Sequence, residues 1–241
     1  MATSTSISAA SLFDVSGIVA VVTGGGSDIV IPLQCDVIDQ SALKVAVAHI
    51  EADTRYINLL IANPSIAGPP GSVPPGSSIA ELQETLYNIP MQDFTNTFHV
   101  NCTAVFYTTV AFLGLLDAGN RNGSYANRCS QVIATSSIAS FNRRISAGFA
   151  YSTSKAATMM MTKVLATYLV LYRFGGIFLS WGENPTEEGA FPLDQIPAER
   201  AGMPEDIMGP LLYLASRAGA FCNGNCVLTD GGRLSVTPAT Y

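Results

Sequence analysis

Short apolar runs rich in β-branched residues alternate along this chain with longer stretches of helical periodicity, and that alternation leaves few folds open. Gly17 to Thr23 (GIVAVVT) reads as a fully buried strand, closed by the glycine turn Gly24-Gly25-Gly26. Ile29 to Cys35 reads as a second strand and Ile57 to Ala62 (INLLIA) as a third. Gln131 to Thr135 follows, then a weaker run from Ile177 to Ser180, and finally Cys226 to Leu228. Asp39 is placed to cap a helix from Gln40 to about Asp53, with Leu43, Val47 and Ile50 on one face. Further helices are expected over Met91–Ala118, Tyr151–Tyr172 and Pro204–Ala218, with a Pro/Gly-rich loop over Ala67–Ser78. This pattern implies an α/β fold, a doubly wound parallel sheet whose ligands collect at the carboxyl ends of the strands. Thr23, Asp36, Asn63 and Ser137 each follow an apolar run and would lie at that edge.

The 241 residues suit a single domain, 1–241, with 1–14 expected to be flexible. Although 48% of residues are hydrophobic and only 12% charged, no stretch of about 18 apolar residues runs uninterrupted. The segment Met159 to Tyr172 is broken by Thr162, Lys163 and Thr167, so no membrane partner is expected. A formal net charge of −6 and the lack of a basic run argue against nucleic acid. Met1 to Asp14 has no positive n-region, so it is not read as a secretory signal. Cys222 and Cys226 are four apart, but neither of the two histidines is near them, so no metal site is predicted. Reduced thiols and a cytoplasmic location are the expectation.

Chemistry concentrates in Tyr151-Ser-Thr-Ser-Lys155, with Ser136-Ser137 on the strand before it. Tyr and Lys four apart lie one above the other on a helix face. An ammonium beside a phenol favours loss of the phenol's proton, and the Ser137 hydroxyl can hold a carbonyl oxygen against it. The result is a proton-donating site for ketone or alcohol chemistry. Ser136 is the competing serine, and the pleat should send its side chain to the opposite face of the sheet.

The order Thr23-Gly24-Gly25-Gly26-Ser27, Cys35-Asp36-Val37, Asn63, His99-Val100-Asn101, Ser136-Ser137, Tyr151-Ser-Thr-Ser-Lys155 and Thr229-Asp230-Gly231-Gly232 resembles the short-chain dehydrogenase/reductase family over nearly the whole chain. The resemblance implies a Rossmann-like fold and a nicotinamide cofactor, with NADP preferred to NAD by likeness to reductive members. It implies that Tyr151 is the general acid/base, that Lys155 assists it and binds the nicotinamide ribose, and that Ser137 orients the carbonyl. Asn101 would hold a water in the proton relay. Thr23, Gly24, Gly26, Ser27, Asp36, Val37, Asn63 and Thr186 would join Tyr151 and Lys155 in binding cofactor. A small-molecule carbonyl or alcohol is the implied substrate, and a homodimer or homotetramer the implied assembly.

The cofactor half departs from the family pattern. Asp28-Ile29-Val30 stands where the family's G-I-G opens the phosphate-binding helix. Only about a dozen residues separate Thr23 from Asp36, whereas one βαβ unit needs about 30. The phosphate-binding helix, the second strand with its NAD/NADP selectivity residue, and the next helix are missing, so the first βαβ half is truncated. A hairpin at the glycines, or an extended return down the sheet from Gly24 to Val30, are the two ways to connect what remains, and neither is comfortable. Asn63-Pro64-Ser65 replaces the family's N-A-G, and Trp181-Gly182 followed by Pro185-Thr186 keeps the glycine and threonine of a later motif but loses its proline. Two functions follow. One is an NAD(P)-dependent oxidoreductase acting on a small apolar metabolite. The other is a pseudoenzyme or cofactor-independent relative, an isomerase, cyclase or oligomer partner, that has lost dinucleotide binding.

Overall fold

The computed structural model describes residues 8–25, 31–122, 128–144, 147–172, 175–181 and 191–240. Five strands, β1 (Ala20–Val22), β2 (Leu59–Ala62), β3 (Gln131–Ser137), β4 (Gly175–Trp181) and β5 (Cys226–Leu228), form one sheet in the order β1-β2-β3-β4-β5, and every pair is parallel. The helices are α1 (Ala9–Leu12), α2 (Gln40–Thr54), α3 (Ile79–Tyr87), α4 (Met91–Phe98), α5 (Ala104–Arg121), α6 (Phe149–Tyr168), α7 (Pro204–Ala215) and α8 (Arg233–Val236). This is the Rossmann-like parallel α/β sheet the sequence implies, with all strand carboxyl ends on one edge.

Successive strand residues face opposite layers. Leu60 and Val132 join Phe112, Leu115 and Leu116 of α5, with Val47 and Ile50 of α2 and Leu165 of α6, in the core of one face. Their neighbours Leu59 and Ile133 turn to the other face and pack on Leu214 and Leu211 of α7. Burying each such Leu or Phe stabilises the fold by about 1.5–3 kcal/mol. The helix α2 is capped as expected, the Asp39 carboxylate accepting the Ser41 N–H at 2.7 Å.

The first half of the sheet corrects two expectations. Residues 31–36 form no strand, and Ile31 is 81% exposed. Pro32 cannot donate to a ladder, and a parallel partner for β1 would have to re-enter from the opposite edge of the sheet. The hairpin and the extended return expected over Gly24 to Val30 fall largely on residues 26–30, outside the described residues. Helix α2 serves as the crossover into β2, about 22 Å long and long enough to run back along both strands. Secondly, β1 is not fully buried: Val22 is 47% exposed. Among the described strands β1 stands at the sheet edge, and on Val22's face α7 is the one described helix of more than a single turn in the core cluster. The order of the described strands never reverses.

Three smaller differences concern helices. The predicted Met91–Ala118 helix is a continuous rod from α4 to α5, but His99–Thr103 within it is a π-helical turn. The rod is apolar and long enough to cross a membrane by length and composition, yet its Thr97, Asn101, Thr108 and Thr109 are buried against protein. The predicted ends at Tyr172 and Ala218 are separate 3-10 turns, Val170–Tyr172 and Arg217–Gly219. Helix α3 has no counterpart among the expected elements, although Ser78 and Glu81 form a reciprocal capping box ahead of it.

Gly119 sets the spacing of α5 from β2, because a Cβ there would collide with the Ile57 carbonyl and reach 2.7 Å from the Ser130 hydroxyl. Gly119→Ala should therefore destabilise the protein by about 1–3 kcal/mol in urea denaturation. Gly114→Ala on the same helix meets nothing within 4 Å, and should instead stabilise by about 0.5–1 kcal/mol.

Candidate active site

The site is built where β3 runs out. Its pleat separates the two serines as expected: Ser136 Oγ donates to the Lys155 carbonyl of α6 at 3.0 Å, while Ser137 is directed away from that contact. Ser137 Oγ accepts the Ala139 N–H at 3.2 Å, which leaves its own proton free to donate. The turn after it is fixed by Ser140 Oγ donating to the Ser137 carbonyl at 2.6 Å.

Helix α6 starts after Gly148. Its φ is 86°, and a Cβ there would lie 2.6 Å from the Pro69 carbonyl oxygen, so no other residue fits without strain. Tyr151 sits half-buried in the first turn. Lys155, one turn on, is only 1% exposed. Its ammonium donates to the Thr135 carbonyl at 3.1 Å and lies 5.8 Å from the centroid of the Tyr151 ring. Burial of the ammonium lowers the Lys155 pKa from 10.5 to about 8.

Asn101 occupies the π-turn and is completely buried. Its Oδ1 accepts the Ile66 N–H at 2.8 Å, and its Nδ2 donates to the Ile66 carbonyl and to Ser154 Oγ, both at 3.0 Å. Its main-chain carbonyl accepts the Thr158 hydroxyl at 2.7 Å. The π-turn lies where the rod through α4 and α5 meets α6 through the Asn101 carbonyl. Asn101 thus fastens the loop after β2 to the helix that carries Tyr151 and Lys155. Ser154 and Thr158 are functional contacts that the sequence reading misses. Their signal is that of buried hydroxyls three residues after Tyr151 and three after Lys155.

At the ends of β1 and β2, Thr23 Oγ1 accepts the Asn63 N–H at 3.1 Å, and the Thr23 N–H donates to the Ile61 carbonyl. Gly24, at φ 69°, packs so closely on Asn63 that a Cβ would lie 2.7 Å from its carbonyl oxygen. Asp36 is exposed and accepts the Ile38 N–H at 3.1 Å in the turn before α2. Val37 lines a cavity shared with His99, Thr103 and Tyr107 of the central rod. Gly26, Ser27, Asp28 and Thr186 lie outside the described residues, as do Gly182 to Ala190 and the Trp181 side chain. The structure therefore brings together Asn101, Tyr151, Lys155 and the strand end bearing Ser137, with Thr23, Gly24 and Asn63 as a second cluster on the same edge.

A family model for short chain dehydrogenases matches residues 15–173. The chain belongs to the short-chain dehydrogenase/reductase family. It is 40% identical to the short-chain dehydrogenase/reductase PhomF of Diaporthe leptostromiformis, over 98% of each chain. It is 38% identical to the short-chain dehydrogenase/reductase SAT3 of Stachybotrys chartarum, over 88% of each. The PhomF alignment runs over 287 positions against 241 residues here, so at least 46 positions have no counterpart in this chain. That length suits the strand and two helices missing from the family pattern. Among solved structures, the Pseudomonas aeruginosa RhlG/NADP active-site complex shares the fold at a TM-score of 0.65 and 23% identity, covering 83% of this chain and 75% of that one.

The family's nicotinamide cofactor can be tested against Lys155. An ammonium carries three donors, and one protein acceptor, the Thr135 carbonyl, is recorded for it among the described residues. Two donors remain for hydroxyls, as a nicotinamide ribose would require, so the nicotinamide end fits.

Two outcomes are expected. Asn101→Ala strands the Ile66 amide and carbonyl and should destabilise the protein by about 1–3 kcal/mol in urea denaturation. Lys155 is charged in folded and unfolded states below about pH 8, but between about 8 and 10.5 the unfolded state binds the extra proton. Its destabilising burial cost is therefore full below pH 8 and is lost as pH rises, so stability increases through that window. Lys155→Met should be more stable than wild type at pH 7 by up to roughly 3 kcal/mol, and the gap should close by about pH 10.5.

Proposed function

We propose that this chain is an oxidoreductase interconverting a carbonyl and a secondary alcohol on a small apolar metabolite, with NADP or NAD as its hydride carrier. The observation that carries the reading is the buried Lys155 ammonium beside the Tyr151 ring, with donors left over for a ligand. Family membership supplies the reaction class. Tyr151 gives its proton to the carbonyl oxygen in reduction and recovers it in oxidation. Lys155 stabilises the phenolate that this leaves. Ser137, with its hydroxyl proton uncommitted, donates to the same oxygen and orients it. Asn101 positions α6, and the second lone pair of its carbonyl holds the relay water. When bound, the nicotinamide supplies or accepts the hydride.

In this reading Tyr151 and Lys155 hold the nicotinamide ribose, and Thr186 the carboxamide. Thr23, Gly24, Gly26, Ser27, Asp36, Val37 and Asn63 take the rest of the cofactor. The protein acts in the cytoplasm as a homodimer or homotetramer. Tyr107 of α5 and Met160, Val164 and Tyr168 of α6, all at least 40% exposed, supply an apolar face for that assembly.

A second reading, a relative that keeps the acid site but binds no dinucleotide, is favoured by one observation. Between Val22 and Gln40 no described residue is helical, so no described helix follows the glycine turn to receive a pyrophosphate. Titration with NADPH and NADH by calorimetry separates the two. Binding, together with turnover that is lost in Tyr151→Phe by about a hundredfold or more while binding persists, is the expected result. No binding at millimolar cofactor would sink the dehydrogenase reading.

A further inference from the structure

A cavity of about 310 Å³ lies at the carboxyl ends of β3 and β5, walled by the apolar Ile138, Ile196 and Leu228. Four charged residues also line it: Arg200, Asp206, Asp230 and Arg233. Three of them are spent within the protein. Arg200 holds Asp206 through both guanidinium nitrogens, at 2.5 and 3.0 Å, and Asp206 also accepts the Met203 N–H at 2.8 Å. The two oxygens of Asp230 accept the main-chain N–H groups of Gly232 and Leu234, at 3.0 and 2.9 Å. The guanidinium of Arg233 has neither a hydrogen bond nor an ion pair recorded among the described residues.

The cavity is linked to the reacting end of the site through the turn after β3. Ile138 directly follows Ser137, and Leu234, next to Arg233, packs with Ile138 and Phe141 in one buried cluster. The chain's last residues bind the same loop, with the Arg143 N–H on the Pro238 carbonyl at 2.8 Å and the Thr240 N–H on the Phe141 carbonyl at 2.9 Å. Arg233 is therefore carried on a segment tied to the loop that follows the carbonyl-orienting serine. At about 30 Å³ per water the cavity has room for roughly ten water-sized groups. A half-buried arginine in a cavity that also has apolar walls matches a planar anion on an apolar chain, because its guanidinium fork takes both oxygens of a carboxylate.

We propose that Arg233 binds a carboxylate on the substrate, at the far end of an apolar chain from the carbonyl held by Ser137 and Tyr151. The substrate class is then an apolar oxo acid, or a hydroxy acid in the oxidation direction. The carboxylate takes no part in the chemistry, and Arg233 determines specificity only. The proposal rests on the oxidoreductase reading for its carbonyl end, and on the cavity for its acid end.

The test uses the full chain with 4-oxopentanoate, 5-oxohexanoate and 6-oxoheptanoate, each beside its methyl ester. Without cofactor, calorimetry should show at least one acid binding more tightly than its ester. Arg233→Gln should weaken that acid about tenfold or more and leave the ester within about twofold, with Arg233→Lys between. With NADPH or NADH, Arg233→Gln should raise KM for the acid by the same factor and leave kcat within about twofold, since the contact is equal in ground and transition states. Equal binding of acids and esters by wild type, no binding of any acid, or equal weakening of both by Arg233→Gln would overturn the proposal. Arg233-dependent acid binding without turnover of any of the six ketones would uphold the carboxylate site and overturn the oxidoreductase reading.

Discussion

The side chain of Asn101 is the joint on which the site depends. Three elements distant in sequence must meet at one edge of the sheet: the loop after β2, the kinked rod through α4 and α5, and α6. A single buried amide satisfies the Ile66 main chain on one side and Ser154 on the other, while its own carbonyl takes Thr158. An amide with four hydrogen-bonding sites can do this where an apolar residue cannot, and in a low-dielectric interior each bond left unmade is costly. The π-turn carries Asn101 and is thus part of the joint.

Lys155 behaves in the opposite way. Its burial opposes folding at neutral pH, since among the described residues its ammonium keeps one protein acceptor, the Thr135 carbonyl, and forms no ion pair. Stability lost at such a point is the common mark of a group held for binding or chemistry. The contrast with Arg200, whose charge is absorbed by Asp206, is instructive. Among the described residues, Lys155 and Arg233 are cations near the strand ends with no recorded carboxylate partner, and they are the ones assigned to ligands.

The edge of the sheet at β1 leaves the rest in order. The crossover helix α2 links β1 to β2, and the described strands share a parallel register with their carboxyl ends aligned. Exposure falls on β1, whose Val22 is only half-covered. Ser137, Tyr151 and Lys155, the residues proposed for proton chemistry, stand on β3 and α6, away from that edge.

Much of this is legible in the sequence. Short apolar β-branched runs locate the five described strands and helical periodicity places the main helices, because those patterns arise from which side chains a strand or helix can bury. Tyr151 and Lys155 are visible by their four-residue spacing and Ser137 by its place at a strand end, whereas Asn101 is visible only through the family resemblance. The expected strand from Ile29 to Cys35 shows the limit, since β-branched composition states a preference for pairing but not whether a partner edge can be reached. The π-turn, the Ser154 and Thr158 contacts, and the place of Arg233 on a cavity wall are decided only by tertiary structure. Each depends on which groups from distant segments arrive within hydrogen-bonding range, and local periodicity carries no information about that distance.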